Sequence, residues 1–349
     1  MLSILKKCKT FTTLISSDGF REKLVKQVLW TNPQTVLLTG PRGVGKKTWA
    51  RAIAAAWLCE KPSDQGACCI CNACQYFEQA SHPDYQEILM QNEKTIPIEE
   101  LRARVHKDIS MAPQIGDERV WLIDGNGLLE SGQNALLKVL EEPPAYARFI
   151  VTIDDPVRLL PTLLSRAVRV DIPPMEEAVL EEFLREQGVS EDEKIALAKA
   201  FGQGIPGVSL EIASSEDFLE LRKSLVRWFL KFPEHNTAEV LTEDYKFFES
   251  NRGRSNVLFL LLHALVRDCL VISRGGELDL LMQEDLAKAL QKFTKHYRLS
   301  ASRWANMSRS INKARLHIQA NANFEMSICN MLLEIREEFH YVRNSERQM

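Results

Sequence analysis

Apolar runs alternate with amphipathic stretches over the first half of the chain, and this alternation predicts strands separated by helices. The predicted strands are 36–38, 86–90, 119–124, 149–153 and 167–170, and the predicted helices are 49–59, 98–111 and 131–142. Strands that alternate with helices are typical of a parallel sheet with helices on both faces. The first half of the chain is therefore predicted to be an α/β domain.

The pattern changes to charged, amphipathic helices near residue 172. Two such stretches, 176–187 and 191–201, predict a small helical region that closes near 207–213. Apolar faces then recur in 221–232, 257–272, 278–293 and 324–342, which is the pattern of an all-α domain. The sequence thus predicts three domains, at 1–172, 173–213 and 214–349.

A glycine-rich loop joins the first predicted strand to its helix. Its sequence, Gly40-Pro41-Arg42-Gly43-Val44-Gly45-Lys46-Lys47-Thr48, has the spacing of a phosphate-binding loop, in which backbone N–H groups face an anion and Lys46 reaches the outer phosphates. A plain strand-to-helix turn is the alternative. We predict a degenerate nucleotide site formed by Gly40, Gly43, Gly45, Lys46 and Thr48.

Two positions depart from an active nucleotide site. Lys47 occupies the position of the hydroxyl residue that holds Mg²⁺, and Thr48 is displaced by one residue. The strand 119–124 ends in Asp124, which suits a magnesium-binding carboxylate, but Gly125 follows it where a water-polarising Glu is expected. Asp124 is therefore included in the degenerate site, while binding of ATP and Mg²⁺ stays an open question.

Five of the eight cysteines lie between residues 59 and 74. Four of them follow the spacing Cys59-x8-Cys68-x2-Cys71-x2-Cys74, which brings four thiolates within reach of one tetrahedral ion. We predict a structural Zn²⁺ site in a small module, residues 59–74, because four thiolates leave no open position for water. Cys69 is a spare thiol that can compete with a neighbour for the metal.

Composition excludes some classes of function. The chain has 349 residues, 45% hydrophobic and 26% charged, and its net charge of −3 gives no global attraction to nucleic acid. We predict no signal peptide, and the apolar run 257–266 is too short to span a bilayer, so a cytoplasmic protein without membrane contact is expected. The basic stretch 292–315, with Tyr297 and Trp304, is expected to be a solvated helix face.

The order of these motifs resembles the bacterial clamp-loader subunits of DNA polymerase III, a branch of the AAA+ ATPases. The resemblance rests on the P-loop, the four-cysteine insert, His82-Pro83-Asp84-Tyr85, the stretch 134–144 and Ser165-Arg166. It implies a AAA+ core with a small helical lid and a C-terminal collar domain. The implied partners are gamma/tau and delta subunits and, through the complex, the sliding clamp and primer–template DNA.

Within this family the chain resembles the delta-prime stator more than the gamma/tau motor. It departs from the motor at Lys47, Gly125, Asp154 and 204–207, so no intrinsic ATPase activity is expected. The resemblance implies that Arg166 acts as an arginine finger on a neighbouring subunit; the alternative is a structural pair with a carboxylate. A gamma-like ATPase, an independent P-loop kinase and a zinc-module DNA-binding protein remain as other interpretations.

Overall fold

The structure is a computed structural model that describes residues 9–14, 16–90 and 95–345. The chain divides into two compact units, Met1–Glu211 and Ile212–Met349. Cys8 and the N-terminal segment used for the signal-peptide prediction lie outside the described residues.

The first unit contains a five-stranded parallel sheet, as predicted. Its strands are β1 Thr35–Thr39, β2 Tyr85–Ile88, β3 Arg119–Asp124, β4 Ala147–Ile153 and β5 Val168–Asp171. They lie in the order β2-β3-β4-β1-β5, and every neighbouring pair is parallel. The carboxyl ends of β1, β3 and β4 therefore meet at one edge of the sheet, where the P-loop begins.

Helices cover both faces of this sheet. They are α1 Asp18–Leu24, which continues as a π-helical segment Val25–Trp30, α2 Lys46–Leu58, α3 Asn72–Glu78, α4 Ile98–Leu101 with its π-helical continuation Arg102–His106, α5 Glu130–Leu140 and α6 Pro161–Leu164. Because successive strand residues point to opposite faces, Leu38 packs in the core with α2, whereas Leu37 packs in the core with α5. The predicted arrangement of two helical layers is confirmed.

Helix α2, which begins at the P-loop, is joined to the edge strand β2 by a bidentate ion pair. Arg51 Nε and Nη2 donate to the two carboxylate oxygens of Glu87 at 2.7 and 2.8 Å, and Tyr85 Oη donates to Glu87 Oε1. Burial alone would raise the pKa of Glu87, but the hydrogen bonds from Arg51 and Tyr85 outweigh it and hold that pKa below its usual value. Glu87 is therefore ionised at neutral pH and fixes α2 against the sheet.

Three further helices follow the sheet: α7 Glu177–Glu186, α8 Asp192–Gly202 and α9 Pro206–Ser214. The first turn of α9 packs directly on the P-loop. Gly207 N donates to Gly43 O at 3.0 Å, and a Cβ atom at Gly207 would lie 2.8 Å from that oxygen. A side chain does not fit there without movement of the backbone, so glycine at 207 permits the closure of this helical segment on the loop.

The second unit is helical throughout its described secondary structure. Its elements are α10 Glu216–Lys231, α11 Thr237–Glu239 with the π-helical segment Val240–Asp244, α12 Tyr245–Ser250, α13 Ser255–Ser273, α14 Ala287–Tyr297, α15 Ala301–Gln319 and α16 Phe324–Ser345. The helix predicted over 278–293 begins only at Ala287. The reason is the buried carboxylate of Asp268, which accepts the backbone N–H groups of Met282 and Gln283 at 3.0 Å and holds the preceding chain outside a helix.

The basic stretch 292–315 lies on α14 and α15. Its residues Lys292, Lys295 and Arg309 are exposed, as expected for a solvated face, while Trp304 is fully buried.

The apolar run 257–266 belongs to a longer helical stretch, Arg252–Ser273, which is long and apolar enough to cross a membrane. Half of its most apolar window is buried, a feature shared with core helices of soluble proteins, so its composition alone does not indicate a membrane span.

We predict that Gly207→Ala destabilises the contact between α9 and the P-loop, because the added Cβ would meet the backbone of Gly43. The expected loss is about 1–3 kcal/mol in the free energy of unfolding, with faster hydrogen exchange of the P-loop amides. Gly19→Ala is the matched control, since Gly19 lies in α1 with no atom within 4 Å of its added Cβ. That control gains about 0.5–1 kcal/mol from helix propensity. Equal effects of the two substitutions would contradict the close approach.

Candidate functional site

The P-loop keeps the backbone shape of an anion-binding loop. Gly43 and Gly45 have φ angles of 89° and 101°, in the left-handed region that favours glycine, and α2 begins directly after Gly45. Such a turn points successive backbone N–H groups toward the space in front of the helix. The predicted strand–loop–helix context of the motif is thus present.

Lys46, the lysine expected to reach the outer phosphates, is buried and fully engaged within the protein. Its ammonium group donates to Gly40 O at 2.7 Å and to Pro41 O at 2.9 Å, and it lies 2.6 Å from Asp154 Oδ1. An ammonium group has three N–H donors, and these three oxygens use all of them. Asp154 was noted in the sequence only as a departure from the motor subunit, and its role as the partner of Lys46 was missed.

Lys47 forms the second ion pair of the site. Its ammonium group lies 2.8 Å from Oδ2 of Asp124, whose side chain is only 2% exposed. The other oxygen of Asp124 accepts the backbone N–H and the side-chain amide of Asn126 at 3.2 and 3.1 Å. The predicted site residues Lys46 and Asp124 therefore lie at the same site. Asp124 was expected to bind Mg²⁺, but here it contacts Lys47.

This arrangement does not fit a bound magnesium ion. Mg²⁺ requires oxygen ligands in near-octahedral geometry, and the residue after Lys46 supplies an ammonium group in place of a hydroxyl. The water-polarising carboxylate is excluded as well, because a Cβ atom at Gly125 would lie 2.9 Å from Thr152 O. The Lys47 ammonium group thus occupies the place beside Asp124 where a metal ion would lie, and position 125 has no room for a carboxylate side chain.

A cavity of about 270 Å³ lies beside the P-loop within the first unit. Gly43, Gly45 and Thr48 line it on the loop side, and Met175 and Phe183 line it on the side of the helices that follow the sheet. Thr48, predicted as a site residue, therefore faces this cavity. Gly40 contributes the carbonyl that accepts from Lys46.

The four predicted metal-binding cysteines come together. The sulfur atoms of Cys59, Cys68, Cys71 and Cys74 all lie within 4.8 Å of one another, and the pairs Cys59–Cys71 and Cys68–Cys74 are each separated by 3.9 Å. Four sulfurs bound to zinc at 2.3 Å would be about 3.8 Å apart. The cluster therefore has the size and donor set of a tetrahedral metal site.

The local environment lowers the pKa of one of the four thiols, Cys68, and so favours its thiolate form. Backbone N–H groups of Ile70 and Cys71, the former contributing more, lower the pKa of Cys68 to about 6, whereas burial raises the pKa of Cys59. Cys69 lies outside the cluster of four, with its sulfur 3.7 Å from Ala67 O. Competition of Cys69 for a metal stays a prediction.

In the motif His82-Pro83-Asp84-Tyr85, the side chains of His82 and Asp84 accept hydrogen bonds from backbone N–H groups. His82 Nδ1 accepts the backbone N–H of Asp84 at 3.2 Å, and burial lowers the pKa of His82. The carboxylate of Asp84 is buried and accepts the backbone N–H groups of Gln114 and Ile115. These contacts fix the chain at the start of β2, and His82 does not join the cysteine cluster.

Arg166 lies just after α6 and before β5, away from the two lysine–aspartate pairs. Its Nη1 donates to Thr162 O at 3.0 Å, and its Nη2 lies 3.6 Å from Oε1 of Glu141, with 38% of the Arg166 side chain exposed. The alternative considered from the sequence, a pair with a carboxylate, is thus present within the chain. An exposed pair of this kind contributes little to stability.

Comparison with known proteins places these features in a family. Residues 22–176 match the family model described as "DNA polymerase III, delta subunit". The DNA polymerase III subunit delta' of Haemophilus influenzae is 30% identical over 260 residues, which cover 74% of this chain and 77% of that protein. The subunit delta' of Escherichia coli K12 is 31% identical over 185 residues, covering 52% of this chain and 55% of that protein.

A tau subunit is also similar, over a shorter part of its length. The DNA polymerase III subunit tau of Escherichia coli K12 is 33% identical over 161 residues, which cover 45% of this chain but 25% of that protein. Because the alignment with the Haemophilus influenzae protein covers most of both chains, the chain belongs to the DNA polymerase III subunit delta' family.

Proposed function

We propose that this chain is a stator subunit of a bacterial clamp loader, acting in the cytoplasm during DNA replication. The observation that carries the proposal is the pair of lysine–aspartate contacts, Lys46–Asp154 and Lys47–Asp124, at the place where a motor subunit holds magnesium and nucleotide phosphates. Membership of the delta' family supports the same assignment. The chain then contributes rigid structure and contacts to the complex, while other subunits hydrolyse ATP.

The proposed partners are the gamma/tau and delta subunits of DNA polymerase III. Through that complex the chain would help to open a sliding clamp and place it on primed DNA. The all-helical second unit, which extends from residue 212, provides the proposed collar contacts with neighbouring subunits. The proposed lid, 173–213, and core, 1–172, complete the three-domain organisation predicted from the sequence.

We further propose that the cysteine cluster binds one structural zinc ion. Four thiolates satisfy the coordination of Zn²⁺ and leave no position for a substrate or water, so the ion would stabilise the module 59–74 without taking part in catalysis. Cys59 follows α2 and Cys74 lies in α3, so the metal would join the end of the P-loop helix to the inserted module.

The zinc proposal predicts about one equivalent of zinc per chain in freshly reduced protein, because thiolate binding is coupled to folding of the module. Cys71→Ser should lose most of the metal and show lower thermal stability, as measured by elemental analysis and calorimetry. Cys69→Ser is the control and should keep the metal, since Cys69 lies outside the cluster. Zinc-free protein, or loss of zinc in Cys69→Ser, would contradict the proposed ligands.

In the assembled complex, Arg166 is proposed to contact the nucleotide bound by a neighbouring motor subunit. A guanidinium group there neutralises charge on the transferring phosphoryl group, and such arginine fingers raise rates by about 10³–10⁵. The exposure of Arg166 and the weakness of its pair with Glu141 support this role, because breaking that pair costs little.

We expect the isolated chain to show no ATPase activity above background, and Arg166→Ala to lower the DNA- and clamp-stimulated ATPase of the reconstituted complex without loss of assembly. The decrease should correspond to one silenced motor site, since one guanidinium reaches one neighbour. Steady-state turnover and gel filtration of the complex measure the two effects.

The matched control is Glu141→Gln, which removes the internal partner of Arg166 and keeps the guanidinium. It should leave ATPase activity unchanged if Arg166 acts on a neighbour. Normal ATPase and clamp loading in an assembled Arg166→Ala complex would refute the finger role, and loss of assembly in both variants would assign a structural role to the pair. Turnover by the isolated chain that disappears in Lys46→Ala would favour a gamma-like motor.

A further inference from the structure

A second cavity, of about 330 Å³, lies at the C-terminal end of α2, the end opposite the P-loop. It is lined by Leu29 and Trp30 from the helical segment before β1, by Trp57 of α2, by Asp64 of the cysteine module and by Glu118. Its volume is within the range of about 300–1,000 Å³ that is typical of ligand pockets. None of its lining residues belongs to the lysine–aspartate site.

Two tryptophans give this cavity an aromatic character. Trp30 is 62% exposed, and its indole N–H donates to Asp64 Oδ1 at 2.9 Å, which holds the ring in one orientation. Trp57 is buried, and its indole N–H has no acceptor among the residues that the structure describes. Because buried N–H groups nearly always have an acceptor, Trp57 is suited to donate to a bound molecule.

The charge of the cavity is negative. Its lining residues include the carboxylates of Asp64 and Glu118 and, within the described part of the chain, no lysine, arginine or histidine. Glu118 Oε1 accepts from Arg148 Nη2 at 2.7 Å, whereas Oε2 is buried and meets no donor at hydrogen-bonding geometry in the described ranges. Burial raises the pKa of Glu118, and Arg148 and Asn32 only partly offset this effect. The chain therefore neutralises the charge of its own cavity incompletely.

The exposed carboxylate is held in place before any ligand arrives. Asp64 lies in a tight turn in which Ser63 and Gly66 exchange backbone hydrogen bonds of 3.0 and 2.8 Å. The hydrogen bond from Trp30 fixes its side chain as well. A site that is formed in advance spends less of its binding free energy on ordering its own groups.

We infer that this cavity binds an arginine side chain of a partner protein. A planar guanidinium group stacks on an exposed indole such as that of Trp30 and can donate to both Asp64 and Glu118. The aliphatic part of the arginine packs on the apolar wall, and a peptide carbonyl next to it supplies the acceptor that Trp57 lacks. A lysine ammonium group does not stack in this way, and the phosphates of a nucleic acid are repelled by two carboxylates without a cation.

The test uses the full chain labelled with 5-fluorotryptophan, whose six tryptophans are followed by ¹⁹F NMR. The probe is the acetylated and amidated peptide Gly-Gly-Arg-Gly-Gly, and its matched control carries citrulline, which has the shape of arginine without the charge. We expect saturable shifts of the Trp30 and Trp57 signals, assigned from the Phe variants, with a dissociation constant below about 10 mM. The citrulline peptide should bind at least about fivefold more weakly, and the signal of Trp304 should not move.

Three variants separate the charge from the ring. Asp64→Asn keeps an oxygen for the Trp30 N–H but removes the charge, and it should weaken binding at least about threefold. Asp279→Asn, which changes an exposed carboxylate of the second unit, should bind as wild type. Trp30→Ala should abolish the saturable shift of Trp57 without lowering thermal stability, because Trp30 is largely exposed.

Equal binding of the arginine and citrulline peptides, or no saturable shift up to about 20 mM peptide, would overturn the inference. Unchanged binding by Asp64→Asn would overturn it as well. The inference does not depend on the stator role. A chain that fails to bind the peptide yet assembles with clamp-loader subunits would refute only the arginine site.

Discussion

A carboxylate buried at the end of a central strand needs a partner, and the organisation of this site follows from how Asp124 obtains one. Lys47 pairs with one of its oxygens, and Asn126 donates to the other. The side-chain oxygen of Asn126 in turn accepts the backbone N–H of Asp154, and the carboxylate of Asp154 holds Lys46. Since Lys46 and Lys47 are consecutive, these contacts form a closed ring that joins the ends of β3 and β4 to the first turn of α2.

This ring neutralises the charged side chains of the P-loop site within the chain. In a motor subunit the same groups must remain free to bind and release a metal and phosphates. Here their charges are neutralised within the chain, and the first turn of α9 contacts the loop through a hydrogen bond from Gly207 to Gly43. The loop is held from the sheet side by ion pairs and from the other side by a backbone hydrogen bond. A rigid core of this kind is suited to a stator.

Much of the fold was predictable because its signals are local. The central strands are buried on both faces and therefore appear as continuous apolar runs. The cysteine cluster is marked by the spacing of Cys59, Cys68, Cys71 and Cys74. The P-loop could also be recognised locally, because its motif is formed by consecutive residues. Its departures at Lys47 and Gly125 were also visible, because each replaces a residue type that the chemistry requires.

The contacts that complete the site were not predictable from local pattern. Asp154 and Lys46 are far apart in the sequence, and an ion pair between strand end and loop leaves no periodic signal. The approach of Gly207 to Gly43 depends on how the chain returns after the sheet, and the helix expected over 278–293 was shortened by a buried carboxylate, Asp268, from another element. In each case a tertiary contact determined the local structure.

The Lys47–Asp124 ion pair is the contact on which the rest of the site depends. A double-mutant cycle of Lys47→Met, Asp124→Asn and the combined variant, measured as free energies of unfolding, tests it most directly. We predict a coupling free energy of about 1–2 kcal/mol, because Asp124 is almost fully buried and loses its only cationic partner among the described residues when Lys47 is changed. Effects that add within about 0.3 kcal/mol would contradict the account.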